Sequence, residues 1–377
     1  MQGTTPVSSD VYYSGLYWNA LPAVVSYMNE FATGDPAQHW HQHLAARHGK
    51  PFRRALSINC GNGWVERDLI RMGVVEAAVG IDFSDDLLTT ARQSAASQSM
   101  AIEYLAVDIN TFDFDLDGID LVINFAAAHH IALIDRVLRH LSRMLGPDGV
   151  FVSYDYVGPH RNQYPAPQWE AIWTANEALP ADFRRDLRYA HLPTMLAQDP
   201  TEAIHSELIV PTMRRYFDLP VEHYLGGSVA YDILSFNPPF HGDNPDAGDL
   251  VAEVLEADRR FRAIDPAAHS LFAYVVATPR AGALDDADQL AAWTAQETAR
   301  ESAARLDGGR YYPATVIASL YDRIHELEGR PSGPAWLPPD TFTARREAVR
   351  RVAARIPGAT TALRSIRQRI RPGNDSR

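Results

Sequence analysis

Cysteine and lysine are nearly missing from this sequence: Cys60 and Lys50 are the sole examples among 377 residues. One thiol excludes an internal disulfide and suits a reducing compartment. One lysine against 34 arginines nearly excludes a catalytic lysine and leaves base chemistry to His, Asp, Glu or Tyr. No apolar run approaches the roughly 18 residues that a membrane-spanning helix needs. The start, Met1-Gln2-Gly3-Thr4, lacks the basic and apolar segments of a secretory signal. Fixed-period repeats are absent too. These absences predict a soluble, cytoplasmic chain.

Charge is present but unevenly placed. The formal net charge is −12, yet residues 345–377 carry ten arginines and two acids (Glu347, Asp375), a balance of +8 that leaves −20 for the other 344 residues. An acidic body disfavours nucleic acid as a partner, because phosphate affinity needs cationic surface. In the tail, Val349, Val352, Ile356, Leu363, Ile366 and Ile370 recur among arginines at near-helical spacing, interrupted at Pro357-Gly358. Over 341–371 that pattern predicts contact with an anionic membrane face or a protein, or a plain solvated helix on the acidic body. The first would place the chain peripherally at the inner membrane face.

Residues 1–50 read as a helical, aromatic-rich lid (Tyr12, Tyr13, Tyr17, Trp18, Tyr27, Phe31, Trp40), with a turn at Gly34-Asp35-Pro36. From about residue 54, strands and helices alternate. Strands are predicted at 55–58, 78–82, 102–108, 120–125 and 150–156, and helices at 64–72, from the Ser84 cap to about 97, and at 132–145. Such alternation implies a parallel sheet covered on both faces. Residues 158–200 read as an irregular cap rich in Pro, Arg, Tyr and Trp, and 202–217 as a helix. Two late strands are expected at 221–225 and 271–278, with a helix at 248–263 between them; 281–330 reads as polar helix, and 329–340 as a linker before the tail.

The chemistry concentrates where strands end. Asn59-Cys60-Gly61-Asn62-Gly63 follows the first strand, and small residues there let backbone N–H groups and a helix N-terminus approach a nucleotide-like ligand. Asp82, with Phe83 beside it, ends the second strand 19 residues after Gly63, where a carboxylate can accept both ribose hydroxyls. Asp108 and Ile109 follow the third strand, offering an acceptor for an adenine amino group and an apolar face for its ring. Asn124 and Phe125 close the fourth. Ligands of open α/β sheets bind at this carboxyl edge. The turn lacks the three-glycine spacing of nicotinamide dehydrogenases.

In these motifs the sequence resembles the class I S-adenosylmethionine-dependent methyltransferases. Leu56 to Gly63 looks like the glycine motif, Gly80-Ile81-Asp82 the ribose motif, Val107-Asp108-Ile109 the adenine motif and Leu121 to Asn124 the fourth-strand motif. The resemblance implies an α/β, Rossmann-like seven-stranded methyltransferase sheet over about 51–280, with a late antiparallel hairpin, cap insertions at about 158–218 and 227–268, and a helical C-terminal extension over 281–377. It also implies S-adenosyl-L-methionine as cofactor. Two positions depart from the pattern: Ser57 stands for the usual acid and Asn59 for the first glycine. Asn tolerates the positive φ that such a turn needs. A narrower resemblance, in Trp64-Val65-Glu66-Arg67, Tyr156-Val157-Gly158-Pro159 and Glu202-Ala203-Ile204-His205-Ser206, is to bacterial methyltransferases associated with polysaccharide synthesis. It implies a sugar or oligosaccharide hydroxyl as acceptor.

Methyl transfer to a hydroxyl gains from alignment and from a base within hydrogen-bond reach. The candidate catalytic residues are His129 and His130 past the fourth strand, Asp155 at the end of the fifth, and His160 beyond it. Tyr156, Tyr164, Trp169 and His205 are candidate acceptor contacts, since flat rings pack on sugar faces; Glu202 and His205 would share a helical face at i, i+3. Adjacent histidines on a helix point apart, and no His/Asp/Glu spacing fits zinc, so no metal is expected. N- or C-methylation of another small metabolite is the alternative within the class. A catalytically idle scaffold in a glycan assembly complex, tethered by the tail, is the alternative outside it.

Overall fold

The computed structural model describes residues 16–306 except 191, 193, 194, 196–198 and 243. Tyr12, Tyr13, the linker at 329–340 and the basic tail lie outside the described residues.

The described residues begin with a 3-10 turn at Trp18–Ala20, α1 (Pro22–Thr33) and α2 (Trp40–His48) and then enter the alternating region: β1 (Phe52–Ile58), α3 (Trp64–Arg71), β2 (Val75–Asp82), α4 (Asp85–Ser97), β3 (Ile102–Ala106), β4 (Leu121–Phe125), α5 (Ile134–Met144) and β5 (Val150–Tyr156). Then follow α6 (Ala166–Ala178), α7 (Ile209–Tyr216), β6 (Phe217–Gly226), α8 (Ala230–Leu234), α9 (Pro238–His241), α10 (Ala247–Arg262), β7 (Phe272–Pro279) and α11 (Ala287–Leu306). The strands form one seven-stranded sheet in the order β3-β2-β1-β4-β5-β7-β6. All neighbours are parallel except β7, which runs antiparallel to β5 and β6. This is the Rossmann-like sheet with a late hairpin that the motifs implied.

Period-2 alternation explains the layers, because successive strand residues face opposite sides of a sheet. Ala55, Leu121, Ile123, Val150, Val152, Tyr274 and Val276 face one core, shared with α1 and α10. Leu56, Ile58, Val122, Phe151, Ala273 and Val275 face the other, shared with α5 and α7. Strands buried on both sides read as continuous apolar runs, which is why β1, β4 and β5 were visible in the sequence. The edge strand β6 carries Pro220 and a register shift between Asp218 and Val221, as befits a residue that cannot donate to a ladder.

The order reverses between β1 and β4, so the crevice of the fold opens at their carboxyl ends. One predicted element is overturned on the way there. Residues 202–205 are not the start of a helix: Ala203 sits at φ 49°, and regular α-helix begins only at Ile209. A left-handed residue cannot continue a right-handed helix, so Glu202 and His205 do not share a helical face.

Candidate active site

The turn after β1 takes the predicted shape. Asn59, Gly61 and Gly63 have φ of 44°, 58° and 73°, so asparagine does replace glycine in a left-handed position. Gly63 is dictated more strictly: a Cβ there would lie 2.2 Å from Tyr104 Oη. Asp82 is buried beside the turn. Its Oδ2 accepts from Gly61 N at 2.8 Å and its Oδ1 from Ser84 N at 2.8 Å. Each carboxylate oxygen keeps a further lone pair, so Asp82 braces the turn and can still accept from a ligand. Ser84 caps α4, its Oγ accepting from Leu87 N at 3.4 Å. Phe83 is 70% exposed, an apolar ring at the lip beside Asp82. Ile109 is buried, and Asp108 is exposed with Oδ1 accepting from Asn110 N. Cys60 is mostly buried, its N–H donating to Ile81 O at 2.9 Å.

Glu66, on α3 directly under the turn, is fully buried. Burial raises its pKa from 4.5 to about 7, against the Tyr104 and Ser57 hydroxyls and the Arg67 guanidinium, which favour the anion. A buried carboxyl thus sits against Ser57, the position that departs from the family's acid. Below about pH 4.5 Glu66 is neutral in folded and unfolded chains alike; between there and about 7 only the unfolded chain ionises, so stability falls as pH rises. The difference approaches about 3 kcal/mol above that window. Glu66→Gln is therefore expected to melt higher than the parent at about pH 8 and level with it at about pH 4.5; equal differences at both pH values would contradict the assignment.

Past β4 the structure joins residues from three segments. His129 stands in a 3-10 turn, Ala128–His130. Its Nδ1 pairs with Asp155 Oδ1 at 2.6 Å. Asp155 is 1% exposed and also accepts from Tyr156 N at 2.7 Å, Asn124 Nδ2 at 2.8 Å, Ala128 N at 2.7 Å and Ala127 N at 3.3 Å. Burial would raise its pKa, but His129 and these donors outweigh it and hold the carboxylate ionised. Asp155 is therefore not the base expected from the sequence; it orients His129. Burial would likewise lower the pKa of His129, but Asp155 overrides it and lifts the value to about 9.

His130 Nδ1 lies 3.1 Å from Thr201 Oγ1, which itself donates to Asp199 Oδ1 at 2.6 Å. The two imidazole rings are 4.2 Å apart. Their Nε2 atoms converge on one carboxylate, at 4.0 Å and 3.8 Å from the oxygens of Glu202. The premise that adjacent histidines point apart does not hold in this 3-10 turn. Glu202 is carried by a tethered loop: Arg161 donates to the carbonyls of Glu202 at 2.8 Å and Pro200 at 2.6 Å, and Ile204 N donates to His129 O at 3.0 Å. Of the eight non-glycine residues with positive φ among those described, Asn59, Ala126, Arg161, Asn162 and Ala203 border these strand ends. Left-handed backbone costs energy and collects at functional sites.

Several sequence expectations are corrected. Asn124 points inward, donating to Ser153 Oγ and Asp155 and accepting from Ala128 N, so it braces Asp155 instead of facing a ligand. His160 pairs with Glu207 at 3.2 Å and sits edge-on to His205; burial, then His205, lowers its pKa to about 4. His205 is buried with its Nε2 on Glu301 of α11. Tyr164 and Trp169 stack on one another inside the core, 3% and 1% exposed, and so offer no open ring face. Tyr156 is buried with its hydroxyl on Pro159 O, its ring 6.2 Å from that of His129. Phe125 lies between Trp64 and Tyr154. Tyr17 and Trp18 do lie at the carboxyl edge, but Trp18 stacks on Phe272, opposite Tyr156 at the end of β5, and Tyr17 packs on Tyr231. They cover the β5/β7 side and not the glycine turn. Sequence reasoning missed Glu66, Arg161 and Thr201 as site residues. Nothing in their local pattern marks them, because the loop that unites the last two spans 40 positions of chain.

Residues 56–153 match the family described as "Methyltransferase domain", a stretch that contains the turn, Asp82, Asp108 and His129-His130. "Ubiquinone biosynthesis O-methyltransferase" of Parvibaculum lavamentivorans is 29% identical over 131 residues, 34% of this chain and 49% of that protein. The protein of the same name from Chelativorans sp. is 30% identical over 106 residues, 28% of this chain and 41% of its own length. The chain thus spans half or less of these curated relatives. A solved S-adenosylmethionine-dependent methyltransferase from Mesorhizobium loti is similar at 20% identity and TM-score 0.38, covering 64% of this chain and 98% of that one.

Proposed function

We propose that the whole chain is an S-adenosylmethionine-dependent O-methyltransferase. The observation that carries this is the pairing, on one sheet edge, of a donor cradle (Asn59 to Gly63, Asp82, Phe83) with a polar acceptor group one strand away (His129, His130, Glu202). The methyltransferase-domain match spans most of both. The cradle suits a nucleoside: the left-handed Asn59, Gly61 and Gly63 shape the turn, Asp82 retains acceptor capacity for ribose hydroxyls, and Phe83 presents a bare ring for a base. S-adenosylmethionine supplies an electrophilic methyl on a cationic sulfur. The chain's part is to align an acceptor oxygen with that methyl, which is the larger share of catalysis in such displacements. The acceptor oxygen would lie against His129, His130 and Glu202, with Tyr17, Tyr156 and Tyr231 close enough to feel the charge of Glu202.

The narrower proposal is a sugar or oligosaccharide hydroxyl, supported by the motif resemblance at Trp64, Tyr156 and Glu202. Burial of Tyr164 and Trp169 removes the stacking argument for it. A hydroxyl of a ubiquinone precursor is the second reading, supported by the names of the curated relatives. Incubating the full chain with donor carrying a labelled methyl and a panel of methyl-poor saccharides, ubiquinone precursors, amines and carbon acids decides. Label is expected in an ether of one class; label only in amines or carbon acceptors, or none anywhere, would contradict O-methylation.

A further inference from the structure

We propose that His129, His130 and Glu202 bind one divalent transition-metal ion, with coordination positions left open toward the acceptor side of the pocket. Two imidazoles and one carboxylate are a donor set suited to zinc, cobalt, iron(II) or manganese, with His129 giving up its Nε2 proton as the ion binds, and an incomplete set leaves room for water or a substrate oxygen.

Three features of the structure argue for an ion over a hydrogen-bonded cluster. First, each histidine uses Nδ1 for an orienting partner, Asp155 Oδ1 at 2.6 Å for His129 and Thr201 Oγ1 at 3.1 Å for His130. Metal-bound histidines are held in just this way, through the nitrogen that does not face the ion. Second, both Nε2 atoms turn to the same carboxylate at separations of 4.0 Å and 3.8 Å. That is beyond hydrogen-bond length. The three ligand atoms lie within 4.8 Å of one another, and ligands bound at about 2.0–2.1 Å in a tetrahedron stand roughly 3.3 Å apart. Third, the surroundings are anionic: Asp155 lies 2.6 Å and Glu202 4.0 Å from His129, and Asp199 accepts from the Thr201 hydroxyl beside His130, a field that a dication neutralises.

The loop tethers from Arg161 and Ile204 set Glu202 opposite the histidines, so little ordering accompanies binding. That the ion faces an acceptor oxygen rests on the O-methyltransferase reading; that the ion binds does not.

The test uses the full chain, stripped with a chelator and titrated with Zn²⁺ by calorimetry. His39, at the N-cap of α2, stacks on His41 in its first turn with rings 5.5 Å apart, so both are replaced by alanine in all samples to remove a second cation-binding pair. One equivalent of Zn²⁺ is expected to bind, with affinity falling at least about tenfold in Glu202→Gln and in His130→Ala. Thr201→Val is expected to weaken binding by about tenfold through the orientation of His130. His130 is only half-buried, so its variant keeps the fold and carries the test if Glu202→Gln does not, with thermal melts as the check. No bound equivalent, or one of undiminished affinity in every folded variant, overturns the proposal. S-adenosylhomocysteine binding, measured on the same samples, separates the two readings: donor binding without metal sinks this site alone, and metal binding without donor sinks the methyltransferase reading alone.

Discussion

Asp155→Ala is expected to lower stability by about 3–5 kcal/mol, the penalty for leaving a buried charge without its partner. Five donors meet on this carboxylate, and every one is buried with it: His129 Nδ1, Tyr156 N, Asn124 Nδ2, Ala127 N and Ala128 N. Alanine orphans all of them, and the room it leaves is too enclosed for water to serve each. For a chain of this size the melting temperature should fall by about 10 °C. Asp155→Asn keeps an acceptor for some of the donors but removes the charge opposite His129, so an intermediate loss is expected. Thermal or urea unfolding of the two variants checks this. A loss under about 1 kcal/mol for alanine would show that Asp155 is not the anchor of the site. The two variants also separate stability from orientation: if asparagine recovers most of the fold but not the activity, Asp155 acts through the direction of the His129 ring.

How much of this was legible beforehand depends on the range of the interactions. The sheet was legible because β1, β4 and β5 are buried on both faces and leave continuous apolar runs. The donor cradle was legible because its parts are local: a turn of five residues, an acid at the next strand end, a serine cap two residues later. The positive φ of Asn59 follows from residue type alone. The acceptor side was legible only as a list of residues. His129-His130 stood out as residue types near the right strand end, but their convergence on Glu202 depends on a 3-10 turn and on a loop pinned by Arg161, more than 30 positions along the chain. Helical spacing misled there, since a single left-handed residue, Ala203, undoes the i, i+3 relation. Tyr164 and Trp169 misled for a different reason: aromatic composition cannot tell a binding face from a core. Glu66 shows the converse, a buried acid inside a predicted helix whose burial the local pattern does not mark.

The roles of the carboxylates differ by surroundings and not by type. Asp155 is saturated with donors and held ionised, Glu66 is starved of water and held near neutrality, and Asp82 is half-committed. The last is the one to which the proposed donor cradle assigns the ribose. Asp82 links the turn to the start of α4 through Gly61 N and Ser84 N, so its loss removes the brace that shapes the turn and, on the proposed reading, the ribose acceptor. Asp82→Ala should therefore weaken donor binding by more than about 100-fold, since charge-assisted hydrogen bonds are worth about 1.5–3 kcal/mol each. Asp82→Asn retains the shape of the side chain but can accept on one atom only. It should fall between alanine and the parent. Titration of the full chain with S-adenosylhomocysteine measures this directly. One equivalent should bind to the parent and more than about 100-fold less tightly to Asp82→Ala, while a parent that takes up none, or an alanine variant that binds as well, would contradict a donor cradle at this sheet edge.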